Sequence, residues 1–546
     1  MKNFKKVIAM LLAAMMVVGV LAACGSTAPS TPAETTLAKG DPKAEATTAA
    51  PAAEGETEAA TEAGERAIKP GTVMNFRLPN DNDTMLPWAS ARSAGILIQV
   101  YDTLMMPYRG DWNDIRGMLA QDWTVSDDQL TYVFQITDQA TFSNGDKLTA
   151  QSIVDSWDYS IQYQPAYYAN VASYEATGEY ELTVKLDAPN PYLLANFATI
   201  HTGIANAKVV DELGATNDDA ACGSGAYIIT EITPGSVTRL KANENYWFKE
   251  EMPEIESLNY WVITDTNAAI SAYESGEIDV MDTNDPVIFS TVVEMPGSSY
   301  ISTYDHTRVL FFDPANCKAF EDINVRKALL YCVDLEQVNA AMANGLGTNE
   351  YMMWRNTFGI KPSEEYSYDT EKGLQMLKDA GYEPKDLTFE ITCHINGQEV
   401  AGCENVQSQL AALGFNVSVA TYEVNTSEQM LFDGNTQLGM CKCDMLTTNP
   451  IAGLGTYYNS EAVKPAVRVK DVYDEMDKIY KKALDLQEHD KIMECCQELH
   501  DLLMDNAVGI PMAGECRWYV YHDKLSNVTA DNQTLRVYWR WADIAE

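Results

Sequence analysis

Apolar and polar residues alternate along some stretches of the chain and repeat every three or four residues along others. The stretches TVMNFRL, QLTYVFQI and YELTVKLDAP alternate with the period of two that is typical of half-buried strands. The helical period occurs in AGILIQVYDTLM, where Ile96, Val100 and Leu104 are spaced by four residues, and again after Thr149, which can cap a helix. Strands and helices therefore follow one another, which predicts an α/β chain built in lobes.

The segment 386–423 has the pattern of a nearly complete βαβ unit. Its first strand alternates from Leu387 to Cys393, and a helical stripe follows from Val406 to Leu413. Gly414 stands where a helix would end in a left-handed conformation, and a second alternating stretch comes after it. Further helices are predicted over 369–380 and, as a pair, over 472–505.

The chain starts with MKNFKKVIAMLLAAMMVVGVLAACGS. The apolar run from Val7 to Ala23 would span roughly 25 Å as a helix, short of the roughly 30 Å hydrocarbon core. A basic start, a short apolar middle and small residues at its end predict a secretory signal peptide over 1–23, with an uncleaved anchor as the alternative. Leu-Ala-Ala-Cys resembles the lipobox of bacterial lipoproteins, in which Cys24 would carry the lipid.

Residues 24–69 differ in composition from the rest of the chain. They are mostly Ala, Thr, Glu, Pro and Gly, and no aromatic residue lies between Phe4 and Phe76. Such a segment cannot bury enough apolar surface to offset the entropy of ordering it. We therefore expect a disordered tether after Cys24, with an end-to-end distance of roughly 35–40 Å.

The composition of the whole chain limits its class. With 546 residues, 46% of them hydrophobic, it is long enough for two or three globular domains. The formal net charge of −41 would repel phosphate backbones, so nucleic-acid binding is discarded. The same acidity resists aggregation outside the cell.

Ten cysteines remain once Cys24 is set aside. Cys495 and Cys496 are neighbours in a helical pattern, and one lysine separates Cys441 from Cys443, spacings that rarely satisfy disulfide geometry within a pair. Free thiols and a disulfide scaffold both stay open. A soft-metal site at Cys441 and Cys443 is a weaker alternative, because no CxxC pair or histidine stands nearby.

Several motifs occur in an order that resembles one known family. They are QVYDTLM, LAQDWTVSDDQLTYVFQI, TFSNGDKLTAQSIVDSW, CGSGAYII, LKANENYW, AYESGEIDVM, FEDINVRKALLYCVD, LKDAGY and QLAALGFNV. Together, behind a lipobox, they resemble the extracellular solute-binding proteins of ABC importers, in the class with oligopeptide- and dipeptide-binding proteins. Within these motifs, structural roles are favoured for Gly223, Gly225, Tyr227, Tyr246, Trp247 and, as part of a buried ion pair, Arg326.

The resemblance implies a periplasmic-binding-protein-like fold of class II, in which two lobes joined by a hinge enclose a ligand. Lobe I would comprise 70–101, 225–305 and 520–546, with an inserted subdomain at 102–224, and lobe II would comprise 306–519. Ligand contacts made only in the closed form would shift the population toward closure. The expected partners are a short peptide, the permease subunits with their ATPases, and the membrane through the lipid; a monomer without a cofactor is expected.

The resemblance also suggests residues for the ligand site. In peptide-binding members a Trp-x-x-Asp segment supplies a carboxylate for the ligand's α-ammonium, and Asp444 matches that position. Cys441 replaces the tryptophan, so the pocket wall is altered. Arg355 could bind a ligand carboxylate beside the flat ring of Trp354.

Three further residues are expected to line the cleft, namely Tyr101, Asp83 and Thr84. Each of the site residues has a structural alternative, such as a loop cap for Asp444 and a solvated arginine beside a core tryptophan for Arg355.

Other functions stay open beside peptide capture. The same fold could bind a nickel or haem complex, an oligosaccharide or a signalling peptide. A secreted hydrolase is the rival class, but the sequence holds no H-E-x-x-H, no G-x-S-x-G and no P-loop.

Overall fold

The computed structural model describes residues 66–90, 92–347, 352–354, 360–361, 366–395, 397–443, 450–531 and 536–545. The predicted signal peptide, Cys24 and almost all of the predicted tether lie outside these ranges. The described body begins slightly before the expected boundary at residue 70, because Arg66 pairs with Asp543 at 2.7 Å and the first strand starts at Lys69.

The strands of the described residues fall into one large sheet and three small ones. They are β1 (Lys69–Leu78), β2 (Met105–Tyr108), β3 (Asp111–Gly117), β4 (Ala120–Val125), β5 (Thr131–Ile136), β6 (Val171–Gly178), β7 (Glu181–Leu186), β8 (Tyr227–Thr233), β9 (Val237–Ala242), β10 (Ile255–Val262), β11 (Val280–Thr283), β12 (Ser298–Phe312), β13 (Thr388–His394), β14 (Asn416–Tyr422), β15 (Leu438–Cys443), β16 (Gly509–His522), β17 (Leu525–Ser526) and β18 (Asp543–Ile544).

Helices cover the faces of these sheets. They are α1 (Ala94–Val100), α2 (Ala150–Tyr163), α3 (Leu193–Asn196), α4 (Ala207–Leu213), α5 (Thr266–Glu274), α6 (Pro286–Val292), α7 (Ile323–Cys332), α8 (Leu335–Ala343), α9 (Thr370–Asp379), α10 (Gly397–Ala412), α11 (Val424–Phe432), α12 (Pro450–Tyr457), α13 (Tyr473–Leu484) and α14 (His489–Asp505). Within the described ranges, no helix is both long enough and apolar enough to cross a membrane.

The large sheet has ten strands in the order β14-β13-β15-β12-β16-β11-β1-β10-β9-β8. Two long neighbouring strands, β12 and β16, join its halves. The first part of β12 pairs with the last part of β16, which also pairs with β11. The second part of β12 pairs with the first part of β16 and with β15. Lobe I is the half of the sheet with β11, β1, β10, β9 and β8, and lobe II is the half with β15, β13 and β14. We call the region of the register shifts between Tyr304 and Val309, where β12 and β16 pass from one lobe to the other, the crossover.

The alternation of side chains on β12 gives lobe II a core on both faces of its sheet. Val309 and Phe311 pack among the residues of α13 and α14, whereas Leu310 and Phe312 pack against α7, α8 and α10. All four side chains are fully buried. A sheet that is covered on both faces accounts for the continuous apolar run VLFF in the sequence.

A smaller body follows α1 and comprises the sheet β4-β5-β7-β6 with α2 packed on it. Thr149 caps α2 by accepting a hydrogen bond from the Ser152 amide, as the sequence predicts. Phe134 and Trp157 are fully buried at its centre. This is the region predicted as an inserted subdomain; its limits at 102 and 224, like the lobe boundaries at 305 and 519, stay predictions.

Several of the family-like motifs meet at one buried carboxylate, Asp102. It accepts hydrogen bonds from Ser224 (3.0 Å), Tyr246 (3.2 Å) and Trp247 (2.8 Å), and it lies 3.7 Å from the guanidinium of Arg540. Burial raises the pKa of Asp102, while Arg540 and the hydrogen bonds oppose that shift. The motifs YDTLM, CGSG and NYW therefore meet in one buried hydrogen-bond network centred on Asp102.

The strands predicted around TVMNFRL, QLTYVFQI and YELTVKLDAP are confirmed, and 388–422 forms a parallel βαβ unit. The helix predicted through Leu104 is shorter: it ends at Val100, because Tyr101 adopts an extended conformation and β2 begins soon afterwards. The ion pair expected for Arg326 is wrong for the described residues. Its guanidinium donates instead to backbone carbonyl groups of Phe320 and Ala507.

Candidate functional site

The strand ends of both lobes face the crossover. In lobe II, β13 runs parallel to β14 and β15, and the last residue of β15, Cys443, lies opposite Thr307. In lobe I, β1 runs parallel to β10 and β11, and the last residue of β11, Thr283, lies opposite Trp518. The carboxyl ends of the parallel strands therefore converge from both sides on the crossover, the place where open α/β sheets bind ligands.

A small pocket that opens to solvent lies at the lobe I side of this junction. It lies between the end of β1, the start of α1 and the chain segment after residue 535. We call it the arginine pocket; its charged and aromatic lining residues are Arg77, Arg92, Arg517, Arg536, Asp282, Phe76, Tyr260, Tyr519 and Trp539.

Within the arginine pocket Asp282 is held by two arginines. Both of its carboxylate oxygens accept from Arg517, at 2.7 and 2.6 Å, in the bidentate geometry that guanidinium groups favour. Arg77 donates to the backbone carbonyl of Asp282 at 2.9 Å and to that of Ile263 at 3.0 Å. Burial lowers the pKa of Arg77, with Asp282 and Asp285 opposing this and Arg517 adding to it.

The lobe II side of the junction carries a buried charge cluster around Glu399. This carboxylate accepts from Arg308 at 2.8 Å and lies 3.3 Å from His394 Nδ1 and 3.9 Å from Lys442 Nζ. Burial by itself would raise the pKa of Glu399, but the bond to His394 and the charges of Arg308 and Lys442 hold it at about 2. Glu399 is therefore ionised at all ordinary pH values.

Two hydrogen bonds connect parts of the molecule that lie on different sides of the junction. Gln398, next to Glu399 at the start of α10, donates to the carbonyl of Asn284 in lobe I at 2.7 Å. Tyr192, in the smaller body, is hydrogen-bonded to His489 at the start of α14, with 3.2 Å between Oη and Nδ1. The conformation described here is thus one in which the lobes touch.

The structure gives Asp83 and Thr84 internal partners. Asp83 accepts from the hydroxyls of Ser90 and Ser93, and Thr84 donates to Asp218 at 2.8 Å. These bonds fix the loop between β1 and α1, whose next residues border the arginine pocket. A direct ligand contact by Asp83 or Thr84 stays a prediction.

Tyr101 lines another small pocket, between α1, β2 and the end of the chain. Its hydroxyl donates to the carbonyl of Met85 at 2.8 Å, and only 2% of the residue is exposed. Burial raises the pKa of this hydroxyl far above its ordinary value. Ligand contact by Tyr101 also stays a prediction.

Trp354, Cys441 and Tyr458 belong to the same hydrophobic cluster of lobe II, and neither Trp354 nor Cys441 has exposed surface. The rings of Trp354 and Tyr458 are 5.0 Å apart, and Tyr458 donates to the carbonyl of Met353. Both predicted residues are fully buried in this conformation, and ligand contact by either stays a prediction. The other two predicted contacts, Asp444 and Arg355, lie outside the described residues.

The sequence analysis missed the arginine pocket. In TVMNFRL, Arg77 alternates with Asn75 on the side opposite Met74, Phe76 and Leu78, so the alternation alone does not indicate that Arg77 is buried. The pairing of Arg517 with Asp282 joins positions 235 residues apart, and no local pattern indicates it.

In the described ranges no group of three or more His, Cys, Asp or Glu side chains is arranged to hold a metal ion. The nine described cysteines are buried free thiols, namely Cys222, Cys317, Cys332, Cys393, Cys403, Cys441, Cys443, Cys495 and Cys496. The sequence left free thiols and a disulfide scaffold open. For these nine cysteines the free-thiol alternative applies.

Comparison with known proteins gives a family match over the greater part of the chain. Residues 114–464 match the family described as bacterial extracellular solute-binding proteins, family 5, middle region. An uncharacterized protein of Sinorhizobium fredii is 25% identical over 374 residues, which are 62% of this chain; the match spans about half, 54%, of that relative. The dipeptide-binding protein of Escherichia coli K12 is 23% identical over 466 residues, 76% of this chain and 84% of that protein.

Solved structures of similar fold cover nearly the whole described body. NikA from Brucella suis, in complex with Fe(III)-EDTA, superposes with a TM-score of 0.75 at 19% identity, over 86% of this chain and 99% of that one. The ABC transporter-associated periplasmic binding protein DppA from Helicobacter pylori, in complex with the peptide STSA, superposes with a TM-score of 0.67 at 19% identity. The match covers 85% of this chain and 98% of that one. The likeness establishes the two-lobed fold.

Proposed function

The chain belongs to the bacterial extracellular solute-binding proteins of family 5, and from this premise we propose that it captures short peptides between its lobes and delivers them to an ABC importer. Relatives support the peptide ligand, since one is named a dipeptide-binding protein and one similar structure holds the peptide STSA. The protein acts as a receptor in this proposal and does not alter its ligand.

The observation that carries the proposal is the convergence of strand ends at the crossover. A ligand at this point touches both lobes only when they close, so its binding energy favours the closed form. Peptide binders obtain affinity with little sequence preference when they pair the ligand backbone and leave side chains in wet pockets. Asp444 directly follows the last residue of β15, and we assign it the ligand's α-ammonium.

The proposal includes a lipid on Cys24, with the body outside the cytoplasm, monomeric and tethered by residues 24–69 close to the permease. The lipobox-like sequence and the composition of the tether support this part. Mass spectrometry of membrane-extracted protein tests it: an acylated Cys24 as the first residue is expected, and a Cys24→Ala variant would be released from the membrane.

Native mass spectrometry of protein purified from its host tests the ligand class. We expect added masses that match short peptides. The mass of a metal chelate would favour the second candidate, a metal-complex receptor, which the likeness to NikA with Fe(III)-EDTA supports. Incubation with mixed synthetic peptides separates receptor from hydrolase, because a receptor depletes peptides without making fragments.

Asp444→Ala should weaken peptide binding by more than tenfold, about 1.4 kcal/mol or more. Asp433→Ala is the matched control, since Asp433 is an exposed aspartate of the same lobe whose carboxylate accepts from Gln429. Equal affinities of the Asp444 variant and the parent protein in calorimetry would remove the ammonium assignment.

A further inference from the structure

We propose that Cys393 and Cys403 become joined by a disulfide bond once the protein is exported, a modification that ties helix α10 to strand β13 in lobe II. The co-reactant is an external disulfide, which the chain meets outside the cytoplasm. The inference rests on that location, which is part of the proposed function, and does not depend on peptide capture. The structure describes the reduced form, in which both residues are free thiols.

The fold brings these two residues together. Side chains alternate along β13, so that Ile391 and Cys393 lie on the face of the sheet that α10 covers. Cys403 lies on α10 and belongs to the same hydrophobic cluster as Cys393. Neither cysteine has exposed surface, and the two thiols are hydrogen-bonded to each other. The two sulfur atoms thus start from direct contact, as the formation of a disulfide bond requires.

The spacing of this pair along the chain also suits a disulfide. Cys441 and Cys443 show the opposite case, because they are two residues apart on one strand, a spacing that rarely satisfies disulfide geometry. Residues 394–402 separate Cys393 from Cys403, and over this distance the chain turns from the strand into the helix that packs on it. The bond would therefore join two elements that already pack against each other.

Two thiol exchanges form the bond. The thiolate of one cysteine attacks a sulfur of the external disulfide, whose S–S bond breaks and releases one thiolate. The thiolate of the other cysteine then attacks the sulfur of the first and displaces the remaining half of the oxidant. The two cysteines together lose two protons and two electrons, and the external disulfide gains them and becomes two thiols.

Burial determines when this exchange takes place. An external disulfide does not reach Cys393 or Cys403 while α10 is packed on β13, because neither residue has exposed surface. The exchange therefore accompanies folding after export or a local opening of the helix. The same burial shields the finished bond from reductants, so the cross-link is a lasting part of lobe II.

The cross-link would act on the charged residues that lie between the two cysteines. His394 follows Cys393 directly and lies 3.3 Å from Glu399, which is one helical turn before Cys403. Gln398, which donates to a backbone carbonyl of lobe I, lies at the start of the same helix. A bond between β13 and α10 therefore fixes the position of the buried charge cluster relative to the interlobe hydrogen bond.

Refolding in a thiol buffer tests the proposal. The full-length protein is unfolded in urea and refolded with reduced and oxidised glutathione, so that every thiol meets the oxidant before the core closes. The remaining thiols are alkylated, and a protease specific for glutamate cuts the chain after Glu399, between the two cysteines. We expect the fragments ITCHINGQE and VAGCE to be joined in most molecules, with a mass lower by the two hydrogen atoms lost.

Refolding with reduced glutathione alone is the control, and both fragments should then be alkylated. Cys441 and Cys443 are the internal control in the oxidised sample, since both should stay available for alkylation. Alkylation of Cys393 and Cys403 in most molecules of the oxidised sample overturns the inference, as does a bond from either residue to another cysteine.

Melting temperatures measure the effect of the bond on lobe II. The oxidised parent protein should melt about 3 °C above the reduced one, because the bond restricts the unfolded chain. Cys403→Ala should remove this difference, whereas Cys317→Ala, at another buried cysteine of lobe II, should retain it. The fragment masses of the parent protein decide the question even if a variant fails to fold.

The outcomes separate this inference from the proposed function. No ligand takes part in the refolding experiment, so the absence of the disulfide overturns the modification and leaves peptide capture intact. A protein that forms the bond but retains no peptide contradicts peptide capture alone.

Discussion

The hydroxyl of Tyr192 lies 3.2 Å from Nδ1 of His489, and this bond joins the smaller body of the molecule to lobe II. Tyr192 is only 6% exposed and packs among the residues of the lobe II core, close to Cys496. Its ring meets the imidazole edge-on, with 6.1 Å between the centroids. A side chain from one body is therefore buried in another that lies across the junction.

Removal of the Tyr192 ring should loosen this contact. We expect Tyr192→Ala to lower the free energy of unfolding by about 3–5 kcal/mol, the usual cost of a buried aromatic side chain. Tyr192→Phe loses only the hydrogen bond and should cost about 1 kcal/mol. Urea unfolding measures both changes, and Tyr368→Phe, at an exposed tyrosine, is the control. A Tyr192→Ala variant as stable as the parent would show that the Tyr192 ring does not pack against lobe II in solution.

The stability of the protein should depend on Glu399 in acid. Its folded pKa of about 2 lies below the ordinary value near 4.5, so the stabilisation is complete above pH 4.5 and disappears as the pH falls toward 2. This difference corresponds to about 3 kcal/mol at neutral pH. Glu399→Gln should therefore be about 3 kcal/mol less stable than the parent at pH 7, and this difference should shrink to about 1 kcal/mol at pH 2.5, measured by urea unfolding.

Glu475→Gln is the control for this prediction, because Glu475 forms an exposed pair with Lys478 and should change stability by less than about 1 kcal/mol. A stability difference between parent and Glu399→Gln that stays constant from pH 7 to pH 2.5 would contradict the lowered pKa.

Gly223 should not tolerate a side chain. A Cβ at this position would lie 2.2 Å from the carbonyl oxygen of Val100 and 2.7 Å from the Tyr101 ring. We expect Gly223→Ala to destabilise the protein by about 2–4 kcal/mol, since the end of α1 would have to move. Gly397→Ala is the control, because nothing lies within 4 Å of a Cβ there. Equal melting temperatures of the two variants would contradict the close approach.

Gln398 should affect the closure of the lobes but not the stability of either lobe. Its hydrogen bond to the Asn284 carbonyl exists only while the lobes touch. Gln398→Ala should leave the free energy of unfolding within about 0.5 kcal/mol of the parent and increase the radius of gyration in X-ray scattering. Gln375→Ala, at an exposed glutamine that bonds to Asp379, is the control and should alter neither quantity. An unchanged scattering curve for Gln398→Ala would mean that this contact does not hold the lobes together.

Local patterns were sufficient where each element has its own period. The strand that contains Phe134, the cap at Thr149 and the βαβ unit that ends at Tyr422 all follow from spacing within a few residues. The error at α1 has a tertiary cause. The apolar spacing continues to Leu104, but the chain must extend at Tyr101 so that the amide of Gly225 can bond the Val100 carbonyl.

The candidate site was less accessible to such reasoning. Arg77, Asp282 and Arg517 come from three distant strands that become neighbours only in the assembled sheet. Trp354 is buried in the lobe II core, and its contact with the ligand stays a prediction. The family resemblance identified the fold, whereas the charges of the pocket depend on pairings that the motifs do not contain.

Two adjacent, hydrogen-bonded strands carry the chain from one lobe to the other, through β12 and β16. Two connections that are hydrogen-bonded to each other restrict the relative motion of the lobes more than a single linker would, so we expect the lobes to close by a hinge rotation at the crossover. The permease would then meet a narrow range of interlobe angles, and the ligand-free and ligand-bound forms would differ mainly in that angle.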